Sequence, residues 1–252
     1  MKSATIKIDR DILTILEGCT LTGLNLTINQ QLETKTYKKL NDVLEIMGGK
    51  WNRKLKCHIF PKPVDDILND VLNYGEILDE NKALQFFETP DALIDKMILI
   101  AGIKPTDYIL EPSAGKGAII KRLLNHTQKE NIHAIDIVLR DELAALTDPD
   151  TRRIGDFLSF DLYPVFDKIL MNPPFSNHQD VKHIQHAYTC LKPGGCLVSI
   201  CSESPFFRED LESLNFRAWL DNLDDCIIDE LPDGSFKSSG TMVKTRIVII
   251  RK

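Results

Sequence analysis

The chain of 252 residues has no apolar run approaching the roughly 20 residues that a membrane-spanning helix needs. Its first ten residues alternate charge and apolarity, which is not the pattern of a secretory signal. The six cysteines, Cys19, Cys57, Cys190, Cys196, Cys201 and Cys226, form no CxxC pair and no metal-ligand spacing. Free thiols, no metal site and a cytoplasmic location are the expectation. There is no excess of positive charge. The net charge is −6, so any contact with a polyanion has to come from a local cluster. Internal repeats and low-complexity tracts are absent. The apolar fraction of 43% is that of an ordinary globular core.

Two common phosphate-binding signatures are also missing. Ile120 stands where the third glycine of a GxGxxG fingerprint would fall, and Lys116 precedes Gly117 rather than a Ser or Thr. What is present is Glu111-Pro-Ser-Ala-Gly-Lys-Gly117, between the short apolar run Asp107–Leu110 and a helical stretch, 118–124. Glycines at a strand-to-helix turn let the backbone approach a ligand without a Cβ clash. A carboxylate just ahead of them repels a pyrophosphate. It suits a ligand with an ammonium and a sulfonium, such as S-adenosylmethionine. Asp136 follows at the end of the next strand, 132–137, where acidic residues meet ribose hydroxyls. Asp156 and Phe157 close a third candidate strand. There a carboxylate can accept from an adenine amino group and a ring can pack on its face.

The chain changes character near Glu80. Residues 1–80 give mixed signals. Thr5–Leu16 reads as a strand or a short helix. Leu40, Val43, Leu44 and Met47 fall at helical spacing until Gly48-Gly49 stops them. Residues 50–60 read as a strand or hairpin and 64–74 as another helix. From 81 to 252 strands and helices alternate, the pattern of a parallel sheet covered on both faces. Thr89 and Pro90 read as the cap and first turn of a helix. A helix over 181–191 should end at Pro193-Gly194-Gly195. The strands Asp225–Glu230 and Thr245–Ile250, joined without a helix, should form an antiparallel hairpin at the sheet edge.

The most specific segment is Asn172-Pro173-Pro174-Phe175, after the apolar strand 168–171. Consecutive prolines cannot donate to a ladder, so they belong at a strand end, where they stiffen a loop. The Asn172 side-chain oxygen and the Pro173 carbonyl can both accept from an aromatic NH₂. That localises its lone pair for in-line attack on an activated methyl, while Phe175 stacks on the base. Positioning does most of this work, and a base must leave its duplex to reach such a pocket.

The Asn-Pro-Pro-Phe segment resembles the motif of class I methyltransferases acting on amino nitrogens, especially DNA adenine-N6 methyltransferases. The ordered set Phe87-Glu88-Thr89-Pro90, Glu111-Pro112 with Ala114, Gly115 and Gly117, Asp136-Ile137, Asp156-Phe157 and Asn172–Phe175 follows the same pattern. The resemblance implies a Rossmann-like α/β fold: a mostly parallel seven-stranded sheet with an antiparallel C-terminal hairpin strand, plus a small N-terminal α+β appendage. It implies S-adenosylmethionine as cofactor, held by those residues together with Asn172, and DNA as substrate. RNA or a protein glutamine would be served by the same chemistry. A non-catalytic nucleic-acid-binding module is a further reading. The absence of any segment long enough for a target-recognition domain departs from many DNA methyltransferases. Residues 35–56 hold seven basic and two acidic side chains around Trp51, so Lys50, Trp51, Arg53 and Lys54 are candidate nucleic-acid contacts, with Ser176, Asn177 and Lys237. A solvated basic face with Trp51 as a core anchor is the plainer alternative.

Overall fold

The computed structural model describes residues 5–78 and 87–252, so the boundary read near Glu80 lies outside the described residues. The chain divides into two compact units, Met1–Leu84 and Gln85–Lys252.

The first unit runs β1 (Thr5–Lys7), α1 (Arg10–Glu17), β2 (Thr20–Thr22), β3 (Asn25–Thr27), α2 (Thr34–Ile46), β4 (Lys50–Asn52), β5 (Cys57–Ile59), α3 (Asp65–Tyr74) and β6 (Glu76–Leu78). The four central strands form an antiparallel sheet in the order β2-β3-β5-β4, and β1 pairs with β6. Leu40, Val43, Leu44 and Met47 are buried on one stripe of α2, as their spacing requires. Two glycines end that helix for different reasons. Gly48 takes φ 94°, while a Cβ on Gly49 would sit 2.8 Å from the Phe60 ring.

The second unit continues with α4 (Asp91–Ala101), β7 (Ile109–Glu111), α5 (Ala118–Leu123), β8 (Ile132–Asp136), α6 (Asp141–Leu146), β9 (Arg152–Ile154), β10 (Phe166–Met171), α7 (Gln179–Cys190), β11 (Leu191–Ser202), α8 (Leu211–Asp221), β12 (Asp225–Glu230) and β13 (Thr245–Arg251). Seven strands pair in the order β12-β13-β11-β10-β7-β8-β9. The β10-β11, β7-β10, β7-β8 and β8-β9 pairs are parallel. Only β13 runs against its neighbours, slotted between β11 and the edge strand β12. Side chains alternate across this sheet with period two. Ile109, Leu170, Val198, Ile200, Ile247 and Ile249 pack under α4 and α5. Leu110, Ile169, Met171, Leu197, Val248 and Ile250 pack under α7 and α8. Burial on both faces explains why these strands read as continuous apolar runs.

Helix α6 and strands β2, β3 and β6 have no counterpart in the sequence reading, and three further elements differ from it. The Pro193-Gly194-Gly195 turn lies within β11, whose pairing with β10 jumps from Phe166↔Leu191 to Lys168↔Cys196. The glycines form a bulge, and Gly194 N–H reaches the Lys252 carbonyl. Helix α8 has no counterpart in the sequence reading. Its buried stripe is Ser213, Phe216 and Leu220, whereas Leu211 and Leu214 face solvent, so the apolar pattern misreports the buried face. Finally, α4 begins at Asp91 with Pro90 in the cap position, and Thr89 makes no cap bond. The Thr89 hydroxyl is used elsewhere.

Candidate functional site

Parallel strands end side by side, and in an open α/β sheet the crevice beyond their carboxyl ends is where ligands bind. Here β7 ends in Glu111, β8 in Asp136 and β10 in Met171, just before Asn172. Asp156 lies two residues beyond β9. The strand order β9-β8-β7-β10 therefore sets Asp156, Asp136, Glu111 and Asn172 in one row. With neighbouring strands about 4.8 Å apart, the row is roughly 14 Å long.

The glycine turn after β7 is tied to β8. Ala114 N–H donates to the Ile135 carbonyl at 3.0 Å, and Gly115 N–H donates to Asp136 Oδ2 at 2.7 Å. Gly115 and Gly117 have φ 58° and 83°, the left-handed region. A Cβ on Gly117 would also meet Leu146 Cδ1 at 2.9 Å. Pro112 and Ala114 are buried in the same turn. Asp136 Oδ1 accepts from Val138 N–H at 3.0 Å and from Arg140 Nη1 at 3.3 Å. Asp136 thus organises the loop, and its Oδ2, which accepts one bond, keeps an acceptor site for a hydroxyl. The next residue, Ile137, is 51% exposed, and Val138 and Leu139 extend that apolar strip.

Glu111 is the electrostatic anomaly. It is 2% exposed, and its Oε2 has no partner among the described residues. Burial pushes its carboxyl well above the usual carboxylate range. Asp136 pushes it further up, and the Ile120 N–H opposes both. A cation brought beside such a carboxyl would offset both effects and favour its ionised form.

The Asn172 amide is held from one side only. Its Nδ2 donates to the Phe87 carbonyl at 2.9 Å and to Thr89 Oγ1 at 3.1 Å. The Phe87 carbonyl can only accept, so the amide cannot be turned round. Oδ1 is left buried and without a partner among the described residues. Pro173 is buried behind it, and Phe175 packs against the core formed with α4 and α5. Beyond Phe175 the backbone is strained: Asn177 and His178 take φ 55° and 56° in succession. His178 Nε2 lies 3.3 Å from Asp210 Oδ1, and Lys182 Nζ lies 3.3 Å from Glu212 Oε1.

Other residues singled out in the sequence fall differently. Asp156 is exposed and caps a short 3₁₀ turn by accepting from Leu158 N–H at 3.0 Å. Phe157 corrects an expectation. It is 2% exposed, with ring centroids 4.6 Å from His186 and 5.5 Å from His183, so no open face remains for an adenine. Lys237 is exposed on the β12–β13 loop. That loop reaches the Phe87–Pro90 strip, where Ser239 Oγ donates to the Glu88 carbonyl at 2.5 Å.

Sequence reasoning passed over Asp180. It is fully buried at the start of α7 and accepts from Ser202 N–H at 2.9 Å, Ser202 Oγ at 2.6 Å and Cys201 Sγ at 3.5 Å. It locks the strained loop to the carboxyl end of β11. Nothing in the sequence separated it from an acidic residue placed for the helix dipole. Among the described residues no group of three His, Cys, Asp or Glu side chains is placed to hold a metal, and no helix is long and apolar enough to cross a membrane.

No protein-family model and no curated protein sequence matches the chain. Solved structures do. The methyltransferase subunit of a type I restriction-modification system from Streptococcus thermophilus superposes with a TM-score of 0.53 at 19% identity, over 74% of this chain and 49% of that one. The M protein of the type I restriction enzyme EcoKI gives 0.51 at 18%, over 99% and 56%. A protein of Listeria monocytogenes described as a class I S-adenosylmethionine-dependent methyltransferase gives 0.52 at 17%, over 69% and 65%. The chain thus spans about half the length of the two restriction-system proteins. At these identities it is the fold that is shared: the chain has the Rossmann-like fold of the class I S-adenosylmethionine-dependent methyltransferases.

Proposed function

We propose that this chain transfers a methyl group from S-adenosylmethionine to the exocyclic N6 amino group of adenine in DNA. The unit within Gln85–Lys252 carries the transfer, and residues 1–80 form an accessory region that contacts the nucleic acid. The observation that carries this reading is the Asn172 amide, whose donor end is pinned by Phe87 and Thr89 while its acceptor end is buried and without a partner among the described residues. A second orphan atom, Glu111 Oε2, tests the fit of the cofactor. A sulfonium amino acid brings the ammonium that such a carboxyl lacks, and the roughly 14 Å row of strand ends suits a nucleoside joined to an amino acid.

In this reading Phe87, Thr89, Pro90, Glu111, Pro112, Ala114, Gly115 and Gly117 hold the methionine part. Asp136 accepts from the ribose hydroxyls. Ile137 lies against the adenine and Asp156 accepts from its amino group, with Phe157 supporting that turn from beneath. When bound, the cofactor supplies a methyl group activated for attack. Asn172 Oδ1 and the Pro173 carbonyl accept the two N–H groups of the target amine, which draws the nitrogen toward tetrahedral geometry and frees its lone pair. The amine then loses one proton to solvent, so no strong base is needed. Pro174 stiffens the turn, and Phe175 stacks on the base. Ser176, Asn177 and Lys237 contact the flanking nucleotides. Preorganised acceptors of this kind act without reorganisation at the moment of reaction.

DNA is chosen as substrate on the ordered motifs, on the basic cluster in residues 35–56, and because two fold neighbours are methyltransferase proteins of restriction systems. The test is transfer of labelled methyl from S-adenosylmethionine to unmethylated DNA, total RNA and a protein lysate. Label in DNA is expected. Label confined to RNA or protein would move the substrate to the other chemistries the motif serves. No label in any pool, together with nucleic-acid binding, would leave a binding module.

A further inference from the structure

We infer that the β4–β5 hairpin is a stacking site for single-stranded nucleic acid, with the Trp51 indole as its platform. This deepens the nucleic-acid reading above and rests on it for the kind of polymer. Its test reads binding and not transfer, so the two can fail separately.

Trp51 lies on β4, the edge strand of the four-stranded sheet, directly opposite His58 on β5. Side chains paired in this way share one face. The indole is braced by two rings. His58 is 5.1 Å away between centroids, and Tyr37 of α2 meets it edge-on at 6.2 Å. His58 is fully buried, with Nε2 3.0 Å from Asn41 Oδ1. Burial lowers its pKa, so the ring behind the indole is uncharged at neutral pH. A tryptophan held this firmly would ordinarily be covered, yet Trp51 is 41% exposed.

Cations outnumber anions in this stretch, with Glu45 the acid near His58 behind the ring. Lys50 precedes it on β4, with its side chain on the other face of the sheet, and Arg53, Lys54 and Lys56 sit in the turn that follows. That turn is fixed by Asn52 Oδ1, which accepts from Lys54 N–H and Leu55 N–H, both at 3.0 Å, and by Lys56 at φ 52°. Lys38 stands next to Tyr37 on α2. Lys39 is engaged by Asp9, but none of Lys38, Lys50, Arg53, Lys54 and Lys56 has an ion-pair partner among the described residues. Lysines on an edge strand also guard against strand addition. A guard does not require an exposed indole braced by two rings.

A braced, exposed ring next to a turn of cations without ion-pair partners among the described residues suits a π-face beside a phosphate. Bases in a duplex are already stacked on each other, so the ring selects bases that are unpaired. Every base offers a π-face, so the selection is for strandedness and not for sequence.

The chain has two tryptophans, and Trp219 is packed between Phe216 and Tyr188 in the other unit. The full chain, without cofactor, is titrated with oligo(dT), oligo(U) and a blunt duplex, each of roughly ten nucleotides per strand. Tryptophan emission and anisotropy of labelled oligonucleotide are followed. Oligo(dT) or oligo(U) should quench the emission, with the duplex bound at least tenfold more weakly. The quench should vanish in Trp51→Phe, and Trp51→Ala should weaken binding roughly ten- to a hundred-fold. Arg53→Glu with Lys54→Glu, at exposed turn positions that leave the core intact, should weaken binding and flatten its salt dependence. The preference of dT or U states whether the polymer is DNA or RNA. Equal binding of duplex and single strand, a quench that survives in Trp51→Phe, or no binding at all would overturn the inference.

Discussion

Replacing Asn172 by alanine removes both ends of the amide at once, and the two ends do different jobs. Nδ2 holds the Phe87–Thr89 strip through bonds of 2.9 and 3.1 Å. Its loss leaves the Phe87 carbonyl and the buried Thr89 hydroxyl without that donor, at a cost of about 1–3 kcal/mol in stability. Oδ1 has no partner among the described residues, so its loss strands no donor there in the resting state. Its proposed use comes only when an amine is present. Removing one preorganised group of this kind lowers kcat by about 10²–10³, equivalent to ~2.7–4 kcal/mol of transition-state stabilisation. Asn172→Asp separates the two functions. It keeps an acceptor toward the substrate but sets an oxygen against the Phe87 carbonyl, so the side chain must rotate or hold a proton. Single-turnover methyl transfer at saturating cofactor measures the rate, calorimetry measures cofactor affinity, and a thermal melt checks folding. Asn172→Ala should lose 10²–10³ in rate while cofactor affinity changes little. Asn172→Asp should lose much of the rate despite its near-identical shape. A folded Asn172→Ala protein with an undiminished rate would refute the role given to the amide.

Three further outcomes follow from the same geometry. Glu111→Gln should weaken S-adenosylmethionine binding yet stabilise the unliganded protein. The folded pKa of Glu111 is raised, so the unfolded chain releases its proton first, and stability falls as pH climbs from the ordinary carboxyl range of about 4.3 toward the raised value. Melting curves from acid to neutral pH should therefore diverge in favour of the variant. Wild-type cofactor binding should release a proton and tighten with rising pH, up to tenfold per unit, seen by calorimetry in buffers of different ionisation enthalpy. Gly117→Ala adds a left-handed penalty of about 1–2 kcal/mol to a contact with Leu146, lowering Tm by roughly 3–6 °C or more. Gly194→Ala, at φ 80° with open space, should pay the backbone term alone. Asp180→Ala strands the Ser202 N–H and hydroxyl, and should cost about 3 kcal/mol in chemical denaturation, with Asp180→Asn losing less.

The middle of the sheet was legible because β7, β10, β11 and β13 are buried on both faces and bounded by turn residues. Glu111, Asp136 and Asn172 were legible because polar side chains at the ends of apolar strands have no packing reason to be there. Less legible were features that depend on which atom meets which. Thr89 has the composition of a helix cap, and only the approach of β10 assigns its hydroxyl to Asn172. Phe157 follows an acidic strand end, as a base-packing ring would, but the two histidines of α7 bury it. Asp180 looks like any first-turn acid until β11 arrives above it. In the first unit, Gly48-Gly49 read from sequence as a helix stop, with no reason for two glycines rather than one. The structure supplies the reason, a left-handed stop followed by a position with no room for a Cβ beside Phe60.

The most direct measurement is mass spectrometry of nucleosides from unmethylated DNA incubated with the protein and S-adenosylmethionine. N6-methyladenine should accumulate with time and be absent when Asn172→Ala replaces the wild type. Unmodified adenine after prolonged incubation with protein shown to bind the cofactor, or a methyl group on another base, would contradict the account.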